Sequence, residues 1–521
     1  MNLIQDKWIP VKRADGTSCK IAPWEIGLDN NPVSEIRTLR PDFRGGIYQF
    51  LIGLVQTAYM PEDNKEWAEI YETPPSYEEL RSAFETYKKA FELVNTNGPA
   101  FMQDFDLLEE AEETEVRGLL IDSPGENTIK KNLDHFIKRH SVAGLCDTCT
   151  AVALFTLQTN APAGGQGNRT GLRGGGPLTT LIIGSTGTSV WKNVWLNILP
   201  KEIYFKNTPN NTIADIFPWM GNTKESINDN ETHPHQVNQL QLYWGMPRRI
   251  RLRQETDRGL CSICGAEGEV RKSYRAKNYG TKYSSLWLHT LSPYRKQEEK
   301  DGSVSLIAIK GKQGGFSYPD WLNLTLANGN NNCEAATVIR SFFVEKKPFL
   351  LDSEYTVWCT GYDMDNMKAR CWYDQTMPIL YLPEAERELF IEKVQLLVNS
   401  ANAVAKILRD KIKEAWFERP NEAKGDTSNI TTSFMEETEK QFYSTLDNIR
   451  KAIMTGSDLA IVMAEWRTTV IQSAERLFDR FAVQDSDEIK NMKRIAEAAK
   501  GLRNILHSPK TKSIQILKEE A

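Results

Sequence analysis

Two matched stretches carry the strongest signal in the chain: "GLCDTCTAVALF" at 144–155 and "GLCSICGAEGEV" at 259–270. Each holds a Cys-x-x-Cys turn preceded by Leu, and more than a hundred residues separate the two turns. Such a turn presents two thiolates to one ion, and two turns complete a tetrahedral zinc shell at about 2.3 Å. A closed shell of this kind is structural rather than catalytic. The spacing predicts one structural Zn²⁺ held by Cys146, Cys149, Cys261 and Cys264.

The same cysteines have two other interpretations, a redox dithiol or four ordinary buried thiols. A thioredoxin-like pair needs a βαβ context, which the flanking sequence does not show. The presence of two matching turns, the second followed by Gly265, favours zinc. A metal in this position would join two remote segments of one domain, whose ends are otherwise costly to hold together.

Composition limits the class of protein. The chain has 521 residues, of which 40% are hydrophobic and 26% charged, and its formal net charge is −5. Eight cysteines are too few for a secreted disulfide scaffold, and no apolar run approaches the roughly 18 residues that a membrane span needs. We expect a soluble, cytoplasmic protein with no membrane partner, whose contacts with nucleic acid are confined to local patches.

The fold prediction is α+β, with a large, irregular, zinc-stapled N-terminal domain (1–380) and a C-terminal antiparallel four-helix bundle (381–521). Helices are predicted after Glu384 and over 432–454, 457–483 and 487–506, with Ser457 as an N-cap. The first of them shows apolar residues three or four positions apart, which predict one buried face: Phe390, Val394, Leu397, Ala401, Val404, Leu408 and Ile412.

The first 380 residues alternate helical and β-rich runs. We expect a helix over 76–94 and strands at "LTTLIIG" (178–184), "SLIAIKG" (305–311) and "PILYL" (378–382). Gly, Pro and Asn interrupt these runs often, which is typical of a loop-rich domain.

A glycine-rich stretch follows the first cysteine pair, "APAGGQGNRTGLRGGGPLTT" at 161–180. It lacks the lysine of a phosphate-binding loop and the spacing of a dinucleotide-binding loop. Either it is a flexible surface loop, or its bare backbone approaches a ligand closely. The basic segment at 130–139 is equally open, as a solvated helix face or a phosphate contact. The stretch "TGYDMDNMKARCWYD" at 360–374 fails the calcium-loop pattern and suits a hairpin.

Together these blocks resemble the large subunit of the type I-E CRISPR surveillance complex (Cascade), the family called CasA. The resemblance covers most of the chain, from the opening "NLIQDKWIPV" through "CSICG", "LWLHTLSPY" and "GYDMDNMKARCW" to the C-terminal helices. It implies a DNA-binding subunit that is not an enzyme. Such a subunit reads the PAM of duplex DNA from the minor groove, helps to open the strands and recruits a helicase–nuclease. Guide RNA pairing reads the remaining sequence. The implied partners are target DNA and the other subunits with their guide RNA.

The resemblance also assigns residues. The PAM-reading loop corresponds to 163–168, the family's lysine to Lys277, with Lys282 nearby, and the strand-separating wedge to "DNMK" at 365–368, where Asn366 replaces a glutamine. The basic segment matches a mobile DNA-contacting loop. The candidate DNA-binding residues are Gly164, Gly165, Gln166, Gly167, Asn168, Arg169, Lys277, Asn366, Met367, Lys368, Lys130, Lys131, Lys138, Arg139, Arg295 and Lys296.

Two rival functions stay open. The first is a metal-dependent nuclease, for which His233 and His235 are the available ligands. The second is a zinc-stapled scaffold that binds only proteins. No His–Asp cluster with metal-ligand spacing is evident in the sequence, which disfavours the nuclease.

Overall fold

The chain divides into two compact units. The first comprises Met1–Gln313 and Leu326–Thr376, and the second comprises Gly314–Thr325 and Met377–Ala521. The second unit thus includes a short segment from the middle of the chain, which the sequence did not predict. The computed structural model describes residues 1–131, 141–204, 212–300, 302–311, 315–325, 333–350, 354–365, 368–422, 425–484, 491–512, 514 and 517.

Helices and strands alternate through the first unit, and long helices dominate the second. In chain order the helices are α1 (Pro41–Ala58), α2 (Asn64–Glu72), α3 (Tyr77–Glu85), α4 (Glu126–Lys130), α5 (Asp147–Asn160), α6 (Val190–Trp195), α7 (Lys201–Tyr204), α8 (Ile213–Ile216), α9 (Trp321–Thr325), α10 (Thr337–Ser341), α11 (Glu384–Trp416), α12 (Ser428–Thr455), α13 (Ala460–Asp479) and α14 (Met492–Leu506). The strands are β1 (Ile9–Arg13), β2 (Ser18–Ile21), β3 (Val33–Ile36), β4 (Glu113–Glu115), β5 (Thr179–Gly184), β6 (Glu231–Thr232), β7 (Arg249–Leu252), β8 (Asp257–Leu260), β9 (Glu267–Val270), β10 (Ser273–Lys277), β11 (Lys282–Tyr283), β12 (Tyr294–Glu298), β13 (Val304–Ala308), β14 (Cys333–Glu334), β15 (Tyr355–Asp365) and β16 (Lys368–Pro378).

The strands form several small sheets rather than one large sheet. Three of them position the candidate site: β4-β10-β7, β16-β15-β5 and the two-stranded β8-β9. The remaining described sheets are β2-β1-β3, β13-β12-β14 and the parallel pair β11-β6. This mixture of helix and sheet, followed by a helical C-terminal region, confirms the coarse α+β prediction.

An aromatic cluster forms the core of the first unit. Phe50, in the buried helix α1, contacts five other rings edge-on, with centroid distances of 5.4 to 6.0 Å. Edge-to-face packing of this kind is favoured by the ring quadrupoles and stabilises the unit beyond simple burial. The five partners are Trp8, Phe91, Phe101, Phe155 and Trp244.

Two predicted elements of the first 380 residues are wrong. The helix expected over 76–94 ends at Glu85, and residues 88–91 form a 3₁₀ turn that delivers Phe91 to the aromatic core. The strand expected at "PILYL" is absent from the described residues 379–382. Pro378 and Pro383 bound this segment, and proline lacks the N–H that a sheet ladder requires.

The helices of the second unit pack on one another. Helix α11 contacts α12, α13 and α14, and α12 contacts α13. All seven apolar residues predicted to share a face of α11 are buried. Tyr318, from the inserted segment, stacks on Phe442 at 4.2 Å and bonds Thr438 at 2.9 Å between their hydroxyl oxygens.

The predicted N-cap at Ser457 is wrong, because α13 begins at Ala460. Gly456 adopts a left-handed conformation at the end of α12 (φ +67°), and the Ser457 N–H donates to the Ala452 carbonyl at 2.8 Å. Ser457 therefore closes the preceding helix. Asp458 instead accepts the Ala460 N–H at 2.8 Å.

Candidate metal centre and nucleic-acid interface

The four cysteines of the two turns meet at one point. Their sulfur atoms all lie within 4.8 Å of one another, and the sulfurs of Cys146 and Cys264 are 3.7 Å apart. Four ligands at about 2.3 Å around a tetrahedral ion are separated by about 3.8 Å, so the observed spacing fits such a shell. The donors therefore have both the chemistry and the geometry to hold a metal ion.

The backbone around each turn prepares the sulfurs for a cation. Cys146 is the N-cap of α5, where the helix dipole stabilises negative charge. Hydrogen bonding with Cys149 lowers the pKa of Cys146, but hydrogen bonding with Cys261 and burial outweigh it and raise that pKa to about 12. Cys261 and Cys264 lie in the turn between β8 and β9, where Gly265 adopts φ +71°. The Gly265 N–H donates to the Cys261 carbonyl at 2.9 Å, and the Cys261 N–H donates to Ala266 at the same distance.

Contacts other than the cysteines also bring the two segments together. The Ser262 hydroxyl accepts the N–H groups of Ala143 and Gly144 at 3.0 and 3.2 Å. The guanidinium of Arg271 donates to the Asp147 carboxylate at 2.9 Å. These bonds hold the cysteines near one another, so a metal would enter a largely formed site.

The cluster needs a cation if its thiols are to ionise together. Hydrogen bonding to Cys146, then to Cys261, together with burial, raises the pKa of Cys149 far above its ordinary value. A bound divalent ion reverses this effect, because it stabilises each thiolate directly.

The loop at 164–168 is fastened to the turn that follows β10, more than a hundred residues away. The Tyr279 N–H donates to the Gly167 carbonyl at 2.8 Å, and the Gln166 amide donates to the Tyr279 hydroxyl at 2.8 Å. A Cβ on Gly167 would lie 2.8 Å from the Asn278 Cβ, which is too close. Only glycine fits where the loop touches the turn.

The outer part of this loop is bare. Gly164, Gly165 and Gln166 are exposed, and a Cβ on Gly165 would meet no atom within 4 Å. Gly165 also adopts φ +82°, a conformation that glycine reaches without strain. Asn168 donates to the Gly164 carbonyl and so closes the loop on itself.

Two lysines flank the turn that receives the loop, and their ammonium groups differ. Lys282 is bound to Asp229 at 2.8 Å and to Glu231 at 3.1 Å, and these bonds raise its pKa. The half-buried Lys277 lies at the end of β10, and its ammonium makes no hydrogen bond or ion pair with any described residue. Of the two, Lys277 has the ammonium that remains available to a ligand.

The arginines of the glycine-rich stretch are engaged inside the protein. The Arg169 guanidinium donates to the Ser226 hydroxyl and carbonyl at 2.7 and 2.8 Å and lies 3.2 Å from Asp229. The buried Arg173 donates to Gln49 at 2.6 Å, and burial lowers the pKa of Arg173 to about 10. Arg169 stays a predicted DNA-binding residue, but its donors already have partners.

The predicted wedge lies on a β-hairpin formed by β15 and β16, which are hydrogen-bonded neighbours. Lys368 is exposed at the start of β16. Arg370 clamps the Asp363 carboxylate with two bonds of 2.7 and 2.8 Å, and so braces the two strands near the tip. The tip residues Asn366 and Met367 lie outside the described residues.

The glycine-rich stretch connects this hairpin with the Tyr279 turn. Its first half is fastened to Tyr279, and its second half passes beneath the hairpin. Gly176 adopts φ +63°, and a Cβ there would lie 2.3 Å from the Met364 side chain. One short segment therefore positions both elements that the sequence predicts to face DNA.

The other predicted basic residues are distributed more widely. Lys131 and Arg295 are exposed, and Lys296 pairs with Glu334 at 3.3 Å. Lys130 ends α4 and is also exposed. Lys138 and Arg139 lie outside the described residues.

Three residues of this site were not predicted from the sequence. Tyr279 receives the loop, and Asp363 and Arg370 brace the hairpin. The stretch "NYG" at 278–280 is a turn signal, and Tyr279 has φ +62°. That signal predicts a turn, but nothing local indicates its distant partner.

The histidines of the nuclease interpretation lie apart from the cysteine cluster. His233 and His235 stack on each other at 5.4 Å. Among the residues that the structure describes, the group of metal-ligating side chains is the four-cysteine cluster, and it includes neither histidine.

The chain belongs to the CRISPR-associated protein Cse1 family, whose family model matches residues 2–477. The resemblance inferred from the motifs is thereby confirmed.

Solved structures share this fold over nearly the whole chain. CasA (Cse1) of Thermus thermophilus has a TM-score of 0.68 at 16% identity, covering 100% of this chain and 99% of that chain. Cse1 of Thermobifida fusca has a TM-score of 0.70 at 16% identity, with coverages of 99% and 98%. A chain of a CRISPR RNA-guided surveillance complex gives 0.65 at 15% identity, with coverages of 98% and 99%.

None of the described helices combines the length and the apolarity that crossing a bilayer requires.

Proposed function

We propose that this chain is the non-catalytic, PAM-reading subunit of an RNA-guided CRISPR surveillance complex in the cytoplasm. Its partners are duplex target DNA and the other subunits with their guide RNA. In such complexes base pairing reads most of the target, so the protein needs to recognise only a short duplex motif. Membership of the Cse1 family and the shared fold support this role.

One observation carries the proposal: the bare loop at 164–168 and the available Lys277 are brought together by the Tyr279 turn. An exposed glycine backbone can approach the floor of a minor groove, where side chains would collide with the groove walls. Lys277 supplies a positive charge beside the loop. The minor-groove pattern is degenerate, so we expect this site to accept several related PAM sequences.

The hairpin of β15 and β16 is proposed to separate the strands beyond the PAM. An amide or apolar side chain inserted at a base step unstacks it, at a cost of a few kcal/mol. Asn366 and Met367 would make this insertion, and Lys368 would hold a nearby phosphate. The clamp between Arg370 and Asp363 supports this role, because a wedge must be rigid at its base.

The cysteine cluster is proposed to hold one structural zinc ion. Four thiolates with no water ligand give a closed shell that neutralises charge and fixes geometry. Helix α5 begins at this cluster and ends just before the loop at 164–168, while β9 and β10 lead from the cluster to Lys277. Fixing the cluster would therefore fix the starting points of the elements that lead to the loop at 164–168 and to Lys277.

The C-terminal helices α11–α14 are proposed to form an antiparallel four-helix bundle that acts as a separate domain, with the boundary near residue 380. Their mutual contacts and the buried face of α11 support this arrangement. The subunit is also proposed to recruit a helicase–nuclease once the target is opened, as the resemblance to CasA implies.

The test uses the assembled complex with its guide RNA. Binding to a matched target should depend on the PAM, and Lys277→Ala should weaken PAM-bearing DNA by about tenfold, as expected for one charged contact. Lys20→Ala, an exposed lysine of β2, is the matched control and should bind normally.

A wild-type complex that binds equally well with a scrambled PAM contradicts the proposal. Equal binding by a complex lacking this chain would favour the protein-only scaffold. DNA cleavage by the purified chain with a divalent metal would favour the nuclease.

A further inference from the structure

Three arginines converge on one face of the β4-β10-β7 sheet. Arg251 lies on β7, Arg253 directly follows the end of that strand, and Arg275 lies on β10 directly opposite Arg251. The three side chains line a cavity of about 500 Å³, whose other wall is formed by residues 96–109. The opposite face of the sheet carries buried apolar side chains, including Ile250.

Two of these guanidinium groups, those of Arg251 and Arg275, form no ion pair with a described carboxylate. Arg251 is 5% exposed and donates to the backbone carbonyls of Asp104, Asn95 and Gly98. The guanidinium of Arg275 makes no hydrogen bond or ion pair with any described residue, and its buried Nε has no acceptor. Like charges directly opposite each other destabilise a sheet unless an anion lies between them.

The carboxylates nearby are committed elsewhere or remain hydrated. Glu113 and Glu255 bind Arg253 at 3.3 and 2.9 Å. Glu109, which also lines the cavity, is exposed to water. The buried Asp104 carboxylate is bound to Arg249. Three arginines and two glutamates therefore line the cavity, which leaves a positive charge in excess there.

We propose that this cavity binds one phosphodiester group of a nucleic-acid strand, held by Arg275 and Arg251. Arginine forms paired, charge-assisted bonds to phosphate oxygens, and a buried guanidinium is already oriented for them. Lys277 lies two residues from Arg275 on the same face of β10, so the cavity and the proposed PAM-reading site share that strand.

The spacing of Arg275 and Lys277 along β10 supports contact of both residues with one nucleic-acid strand. Alternate residues of a strand are about 6.7 Å apart, which is close to the separation of successive phosphates in an extended nucleic-acid backbone. Lys277 and Arg275 would then hold neighbouring phosphates of the duplex that carries the PAM. This inference rests on the proposed function, and it adds a phosphate-binding residue that carries no sequence information.

The experiment measures DNA affinity of the assembled complex at several salt concentrations. Arg275→Gln should weaken binding by about tenfold for PAM-bearing and scrambled duplexes alike, because phosphates are the same in both. It should also reduce the slope of log K against log salt by about 0.9, the contribution of one phosphate contact. Arg275→Lys keeps the charge and should restore most of the salt slope.

Two further variants keep the test decisive. Arg258→Gln removes the same charge from exposed β8 and should leave both affinity and slope unchanged. Glu255→Gln releases Arg253 from an acid and should tighten binding. Unchanged melting temperatures would show that each variant is folded.

The outcomes are separable. If the wild-type complex prefers PAM-bearing DNA but Arg275→Gln matches it in affinity and slope, this inference is overturned while the proposed function stands. If the wild type shows no PAM preference, the proposed function fails first. If Arg275→Gln reduces guide-RNA incorporation with unchanged DNA affinity and slope, the inference is also overturned, and the cavity contacts the guide RNA instead.

Discussion

Alanine substitutions at Gly165 and Gly167 separate two effects in the loop at 164–168: backbone strain and loss of contact with the Tyr279 turn. Both glycines have positive φ, +82° and +76°. Alanine at either position therefore costs roughly 1–2 kcal/mol of backbone strain. At Gly165 nothing else is disturbed, because the added Cβ faces open space.

At Gly167 the added Cβ also collides with the turn. It would lie 2.8 Å from the Asn278 Cβ and 3.1 Å from the Tyr279 nitrogen, so the loop must move away. That movement lengthens the bond from the Tyr279 N–H to the Gly167 carbonyl, which contributes about 1 kcal/mol. Since the strain is common to both variants, the difference between them isolates the contact.

The measurement is hydrogen exchange of the Tyr279 amide, read site by site. Gly167→Ala should exchange at least about fivefold faster than Gly165→Ala, the equivalent of 1 kcal/mol. Both variants should weaken PAM-dependent binding by the assembled complex, through displacement of the loop in one and a methyl group at the groove in the other. Equal exchange in the two variants would show that the turn does not hold the loop, and the reasoning would be refuted.

Three other perturbations follow from contacts already described or from burial. Cys261→Ser should release the metal and lower the melting temperature, whereas Cys19→Ser, an exposed cysteine outside the cluster, should do neither; a metal-free wild type of equal stability would contradict this. Arg370→Ala leaves the buried Asp363 carboxylate without its clamp and should speed amide exchange along the hairpin by roughly tenfold; unchanged protection would show that the clamp is dispensable. Burial lowers the pKa of Lys346 to about 7, so above that pH the unfolded chain binds more protons than the folded chain. The free energy of unfolding should therefore rise by roughly 2 kcal/mol from pH 7 to 9, relative to the Lys346→Met variant. Parallel pH profiles of the two proteins in urea titrations would rule this out.

The sequence predicted elements whose signal is local or periodic. The spacing of apolar residues in α11 identified a face that is fully buried, and the matched turns identified four cysteines that do meet. In each case the signal lies in spacing that one element fixes by itself. The strand expected at 378–382 failed because apolar residues alone do not show whether a partner strand is adjacent.

The contacts that assemble the candidate site could not be predicted in this way. The pairing of Gln166 with Tyr279 joins residues 113 positions apart, and neither residue type indicates the other. Which of Lys277 and Lys282 is available to a ligand likewise depends on the fold, because the fold places carboxylates beside Lys282. Such selections are made by tertiary packing, so a sequence offers candidates and the folded structure distinguishes them.

The cysteine cluster has a consequence for how this protein can change over time. The elements that carry the loop and Lys277 both begin at the cluster, so their separation is set at a place remote from the proposed DNA surface. Substitutions in the exposed part of the loop leave the cluster, and the elements that begin at it, unchanged. Residues of the exposed loop can thus be replaced one at a time, without any change to the cysteine cluster that fixes where the loop begins.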